Sequence, residues 1–204
     1  MTEYEKMVKG MIYDPLDPDV AEKRNNAAEI CRDFNLLTKE EDKIKMCQTL
    51  WPESKNLLLR GQIYFDYLFN TKFGNNCYAN YHFVCMDCAE VIIGNNVLFG
   101  PNVSLLTPMH PFIKEERAAY LHENGYFTDR EYAKKIVIGD DCWICGNVTI
   151  LGGVTIGEGT IIGAGSVVTR DIPSGVLAFG NPCRVIRKIN EKDSIYLKDE
   201  LWDK

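Results

Sequence analysis

Histidine is the side chain that titrates nearest neutral pH, at about 6.5, and this chain has three: His82, His110 and His122. Their settings differ. His110 stands between Met109 and Pro111, just past the end of a block of regular sequence, where a side chain can project. It is the candidate general base. His82 lies beside Phe83 inside the regular block and reads as a surface or packing residue. His122 falls in a polar segment and reads as solvated. Arg184, Arg187 and Lys188 crowd near the C-terminal end, with Arg170 not far before them. A local basic cluster on a chain of net charge −6 suits a small anionic ligand. The same net charge argues against general nucleic-acid binding.

Two C-x-x-C pairs, Cys85 with Cys88 and Cys142 with Cys145, raise the question of zinc. Fifty-three residues separate the pairs, and Cys142 and Cys145 occupy positions of a repeat that require small residues. No metal site is expected. The glycines of the segment 157–163 do not form a dinucleotide or phosphate-loop fingerprint.

The element that positions these residues is a repeat. Ile138, Ile144, Ile150, Ile156, Ile162 and Val168 are spaced six apart without a break. Small or β-branched residues follow four positions later: Cys142, Val148, Val154, Thr160 and Ser166. Phe73 and Ala79, then Ile93, Phe99 and Leu105 after a two-residue slip, keep the same beat. A period of six is neither helical nor that of an ordinary strand. It fits a chain that runs straight, turns and repeats, so that three sides close a triangular rung with one aliphatic residue inward per side. Small residues such as Gly139 and Gly157 are expected at the corners. The fold class is mainly β: a parallel β-helix of hexapeptide repeats.

Residues 1–58 read instead as a small helical module. Thr2 with Glu5 forms a capping box and Gly10 ends that helix. Asp17 and Pro18 open a second helix with an apolar stripe at Val20, Ala27, Ile30, Cys31 and Phe34. Thr38 with Glu41 repeats the capping box, and Pro52 stops the third helix. Such a module is too short to bury a core alone and should pack on the domain that follows, residues 59–187. The repeat is broken from about 106 to 137 by a polar insertion, expected to be a protruding functional loop. Residues 188–204 form a tail.

Composition is that of a packed soluble chain, 46% hydrophobic and 25% charged. No apolar run is long enough to span a membrane, and the charged N-terminus has no secretion-signal core. A cytoplasmic location with reduced thiols is the expectation.

The repeat, the TPMHP segment at 107–111, IGDDCWICG at 138–146, IIGAGSVVTRDIP at 161–173 and GNPCRVIRKI at 180–189 resemble the maltose and galactoside O-acetyltransferases, as does the helical module. The resemblance covers the chain from about Glu5 to Ile189. It implies a left-handed β-helix, a homotrimer with sites between subunits, acetyl-CoA as co-substrate and a sugar hydroxyl as acceptor. It implies no metal requirement. By this resemblance His110 is the catalytic base, and Asn80, with backbone N–H groups near Gly146, is a candidate for stabilising the oxyanion. Asp14, Asp66, Tyr78, Asn80, Asp87 and Glu131 would serve the acceptor. Asn80, Trp143, Gly146, Ala164, Thr169, Arg170, Arg184 and Arg187 would hold coenzyme A, the arginines on phosphate. Cys88 stands where some members have a second acid after Asp87, and Cys145 where glycine is usual. Another small hydroxyl or amine acceptor, or a trimeric β-helix scaffold without catalysis, are the alternatives.

Overall fold

The computed structural model describes residues 1–202. Three helices, α1 (Glu3–Val8), α2 (Pro18–Leu36) and α3 (Glu40–Leu50), precede a left-handed parallel β-helix of about six turns. The first two helices begin as the sequence predicts. Thr2 and Glu5 bond reciprocally, and Asp17 accepts from the Asp19 and Val20 N–H groups with Pro18 at the first helical position. The third does not. Lys39, not Thr38, enters α3, and no side chain caps it. Glu40, Glu41 and Asp42 crowd its first turn instead, where negative charge complements the helix dipole.

The β-helix has three faces. The first carries six parallel strands, from Leu58–Leu59 to Val176–Phe179, and ends in the antiparallel strand Arg184–Lys188. The second runs from Ile63–Phe65 through Phe83–Met86, Ser104–Leu106 and Thr149–Leu151 to Val167–Val168. The third holds Thr71–Phe73, Val91–Ile93, Ile136–Ile138 and Thr155–Ile156. The first strand starts at Leu58, the last residue assigned to the helical module by sequence.

The six residues of the strict register are all inward and no more than 1% exposed. The expectation of one inward residue per side falls short, because Cys142, Val148, Val154, Thr160 and Ser166 are buried too. Each side therefore buries one large and one small residue. The buried hydroxyls are satisfied locally: Thr160 donates to the Pro173 carbonyl at 2.7 Å. In the wider early rungs Phe65, Phe73, Phe83 and Phe99 fill the interior in edge-on and tilted contacts. The helices close that end. Ala27, Cys31, Phe34, Cys47 and Trp51 join the same core. Asn35 pairs with both backbone groups of Ile63, and the Trp51 indole donates to the Thr71 carbonyl. The otherwise open strand edge is thereby covered.

Two edges of the prism are tight. Between the third and first faces, Asn56, Asn76, Asn96 and Asp141 have φ of 56–58°, a left-handed conformation that Asn and Asp tolerate best among residues with a Cβ. Their side chains form a ladder, at 2.9, 3.0 and 2.8 Å. Between the first and second faces His82, Asn102 and Asn147 have the same left-handed φ, and Asn102 donates to Asn147 at 3.1 Å. His82 is thus a corner residue. Glycine serves both needs along the edge between the third and first faces: Gly159 and Gly175 continue the left-handed position, whereas at Gly74 a Cβ would lie 2.5 Å from the Gly94 backbone.

The edge between the second and third faces is different. Partners on the first face are 20 residues apart early (Leu58 with Tyr78, Tyr78 with Leu98) and 18 apart later (Trp143 with Ile161). The two extra residues enter at 66–70 and again at 86–90, between the second- and third-face strands. The large insertion enters at the same edge, between Ser104–Leu106 and Ile136–Ile138. It contains one helical turn (Lys114–Arg117) and a small hairpin of Tyr120–Leu121 with Phe127–Thr128. Tyr132–Ala133 then returns antiparallel to Pro108–Met109. Rather than protruding freely, the insertion folds back on the helical module: Tyr126 and Thr128 both donate to Asp14. Among the described residues no helix is long and apolar enough to cross a membrane.

Candidate active site

His110 follows the Pro108–Met109 strand at the irregular edge, and its side chain is about half exposed. Pairing of Tyr132–Ala133 with that strand sets the approach of the insertion, and two carboxylates arrive with it. Asp129 Oδ2 lies 3.7 Å from Nδ1 and Glu131 Oε1 lies 3.8 Å from Nε2. Both separations are longer than a hydrogen bond, so the two carboxylates flank the ring without binding it. His110, Asp129 and Glu131 also offer ligand atoms within 4.8 Å of one another, an arrangement exposed acids often show without an ion.

His110 separates two cavities. One, of about 260 Å³, is lined by Tyr13, Arg24, Asp66, Tyr67, Met86, Cys88, Pro108 and Glu131 as well as His110. Its charged wall suits a small polyhydroxyl ligand, because carboxylates and guanidinium bind hydroxyls directionally. Burial pushes the Asp66 carboxyl up, opposed by the Cys88 thiol and the Arg24 charge. Cys88 donates to Asp66 Oδ2 at 3.5 Å, and burial, with Asp66 beside it, drives its thiol far up. That thiol is a weak donor here, not a nucleophile. The other cavity, about 420 Å³, shares His110 and Pro108 with the first and is more apolar: Leu106, Met109, Phe112, Leu151 and Gly152, with Lys134 and Thr169.

The residues expected from sequence are placed unevenly. His110, Asp66 and Glu131 share the first cavity, and Thr169 joins His110 in the second. Asp87 does not reach either. It is fully buried and accepts from the Tyr67 and Leu68 N–H groups and the Thr71 hydroxyl, so it shapes the enlarged corner rather than meeting a ligand. Burial raises its carboxyl to about 6 in spite of those three donors. Asp14 is also committed. Burial alone would raise it, but Thr128, Tyr126 and the Leu16 N–H together hold it below the usual carboxylate range. It joins the helical module to the insertion.

Tyr78, Asn80, Trp143, Gly146 and Ala164 lie elsewhere in the chain. Tyr78 and Trp143 are on the first face, while Asn80, Gly146 and Ala164 follow it at the tight edge towards the second. The whole second face separates them from His110. Trp143 is half exposed and pairs in register with Leu98 and Ile161. Arg170 is exposed beside Thr169. Arg184 and Arg187 are exposed on the final antiparallel strand. The expected basic cluster is less free than its spacing implies, since Arg187 makes a two-pronged ion pair with Asp193 of the tail at 2.7 and 2.6 Å. His122 stacks on Tyr126 in the insertion, away from either cavity's lining. All eight cysteines are free, and Cys85 and Cys142 are core residues of different faces.

Tyr13, Arg24 and Asp129 were not singled out from sequence. Arg24 carried a signal: it sits on the apolar stripe of α2, between Val20 and Ala27, where a charge needs a reason. Tyr13 and Asp129 had none beyond adjacency to Asp14 and Glu131.

Known proteins share this fold. Residues 6–51 match the maltose acetyltransferase hexapeptide capping motif, and residues 135–170 the bacterial transferase hexapeptide family. The galactoside O-acetyltransferase of Escherichia coli K12 is 39% identical over 202 residues, covering 96% of this chain and 94% of that one. The crystal structure of a maltose O-acetyltransferase from Clostridium difficile 630 superposes with a TM-score of 0.83 at 38% identity, over 94% of this chain and 99% of that one. A hexapeptide-repeat acetyltransferase from Vibrio cholerae, crystallised with acetyl coenzyme A, gives 0.79 at 28% identity, over 94% and 100% of the chains.

Proposed function

The chain belongs to the hexapeptide-repeat acetyltransferases of the maltose and galactoside type, and from that premise we propose that it moves the acetyl group of acetyl-CoA to a hydroxyl of a sugar such as maltose, glucose or a galactoside, with His110 as general base. The observation that carries this reading is the position of His110 between a charged cavity and a more apolar one. The charged cavity takes the sugar, with Asp66, Glu131 and Arg24 on its hydroxyls. The other takes the acyl end of the donor, with Thr169 at its rim.

The chemistry then needs few groups. Imidazole accepts the proton of the acceptor hydroxyl as its oxygen attacks the thioester carbonyl. The carboxylates of Asp129 and Glu131 face the ring where positive charge develops in the transition state. The C–S bond breaks as the tetrahedral intermediate collapses, and the imidazolium returns its proton to the departing thiolate. No step calls on a metal.

The oxyanion donors and the rest of the donor groove come from a second copy. Asn80, Gly146 and Ala164 stand one full face away from His110 in their own subunit, so a shared site in a homotrimer brings the two sets together. The Gly146 and Ala164 N–H groups are free for such a role, whereas those of Cys145 and Asn147 are spent between rungs. Arg184 contacts donor phosphate, and Arg187 does so on leaving Asp193.

The test is a panel of acceptors with acetyl-CoA, reading released thiol and the mass of the product. Acetylated sugar at a turnover well above that of amine or xenobiotic acceptors is the expected result. Transfer only to the latter would overturn the sugar assignment.

A further inference from the structure

We propose that Tyr13 is a positioning residue of this site, holding the Glu131 carboxylate in place beside His110; the inference rests on His110 being the base. Tyr13 is 2% exposed, and its ring packs in a small second core with Met7, Val20, Tyr67, Cys88, Ala89 and Ala133. Its hydroxyl donates to Glu131 Oε2 at 2.6 Å. The backbones of the same two residues are bridged in both directions, the Tyr13 N–H to Glu131 at 3.0 Å and the Glu131 N–H to Tyr13 at 3.4 Å. One residue pair thus joins the helical module to the insertion by main chain and side chain together.

The consequence is geometric. A glutamate side chain has three rotatable bonds, and fixing it costs side-chain entropy. With Oε2 taken by the tyrosine, Oε1 is the oxygen left facing His110 Nε2, 3.8 Å away. Burial and the neighbouring Cys88 and Glu131 push the Tyr13 hydroxyl far up, so it stays a donor at any working pH. The positive charge that Glu131 faces develops on His110 only as the acceptor proton moves. Holding the carboxylate ready should therefore raise kcat and leave donor binding alone.

The experiment is a double-mutant cycle. Tyr13→Phe keeps the ring, the small core and the backbone bridge, and removes only the hydroxyl. It should lower kcat about 10-fold, as expected for one charge-assisted hydrogen bond, with the acetyl-CoA KM unchanged. In a Glu131→Ala background the same substitution should change nothing further, because no carboxylate is left to hold. A merely structural tyrosine would give losses that multiply in the double variant, and that result would overturn the proposal, as would a Tyr13→Phe enzyme with parental kcat. If Tyr13→Phe does not fold, Glu131→Asp asks the same question from the other side: it shortens the carboxylate out of reach of the hydroxyl, and an unaltered kcat overturns the proposal. Should His110→Ala retain parental kcat, the base assignment fails and this inference with it; a disabled His110→Ala beside an unaffected Tyr13→Phe sinks the inference alone.

Discussion

The three edges of the prism divide into two kinds. Two are built from left-handed Asn, Asp and Gly corners whose side chains bond from rung to rung, and they repeat with little variation. The third, between the second and third faces, gains two residues at 66–70, two more at 86–90 and then the insertion after Leu106. The regular edges hold the rungs in register. The irregular edge holds His110, Asp66, Cys88 and the two carboxylates of the insertion. A repeat satisfies its own backbone, so a departure from it is stable only if something else meets the freed groups. Here Asp87 takes the N–H groups of Tyr67 and Leu68, and Asp14 takes the hydroxyls of Tyr126 and Thr128. Acidic residues that resemble ligands by position are used to make room for the ligand.

The contrast predicts distinct phenotypes for the two kinds of edge. The largest effect should come from His110→Ala. General-base catalysis contributes about 10²–10⁴-fold, so kcat should fall by that order, with folding and acetyl-CoA affinity retained because His110 holds no rung. A variant keeping more than about a tenth of the parental kcat would remove the base from the mechanism.

Next is the support of the irregular edge. The folded Asp87 carboxyl lies at about 6, above the value near 3.9 of an unfolded aspartate. The folded state therefore binds more protons across that window. The contribution of Asp87 is fully present below about pH 4 and declines as the pH rises through about 6, by something on the order of 2–3 kcal/mol. Asp87→Asn, which cannot ionise, should flatten this part of the stability–pH curve measured by urea unfolding. An unchanged slope in the variant would mean that another group is responsible.

A smaller effect is expected at a regular edge. Asn96 has φ of 56° and bonds to both Asn76 and Asp141. Asn96→Ala should cost about 1–3 kcal/mol in unfolding free energy, from the strained backbone and the lost ladder bonds, while kcat stays parental. A selective loss of kcat with unchanged stability would break the division between scaffold edge and working edge. The smallest effect should come from exposed charge. Arg184→Ala should raise the acetyl-CoA KM about 3–10-fold, the worth of one exposed phosphate contact, and leave the acceptor KM unchanged. Arg187→Ala should cost less, since Asp193 already competes for that guanidinium.

What was legible in the sequence follows the same line. The inward residues repeat every six positions because each rung imposes the same packing, so the β-helix and its break could be read directly. Small residues do stand at the corners, where Gly74, Gly94 and Gly139 let rungs approach, but the left-handed positions there take Asn and Asp as well as Gly159 and Gly165, which smallness alone does not predict. At the irregular edge no period exists to read. Its pairings join residues far apart in sequence, Tyr13 with Glu131 and Asp14 with Tyr126, and nothing local announces them. His110 was legible only because it stood where the repeat stopped and because the chain resembles a known family.

The central claim is that catalysis requires the irregular edge of one subunit and a regular edge of the next, and mixing inactive variants tests it most directly. His110→Ala lacks the base but keeps the Asn80 edge. Asn80→Ala lacks an oxyanion donor, worth about 10²–10³-fold, but keeps His110. Unfolded together in equal amounts and reassembled, the two should form trimers in which about a quarter of the interfaces pair an intact His110 with an intact Asn80, and activity should recover to about that fraction of the parent. If each site lies within one subunit, the mixture will be no more active than the two variants measured apart, and the shared site is wrong.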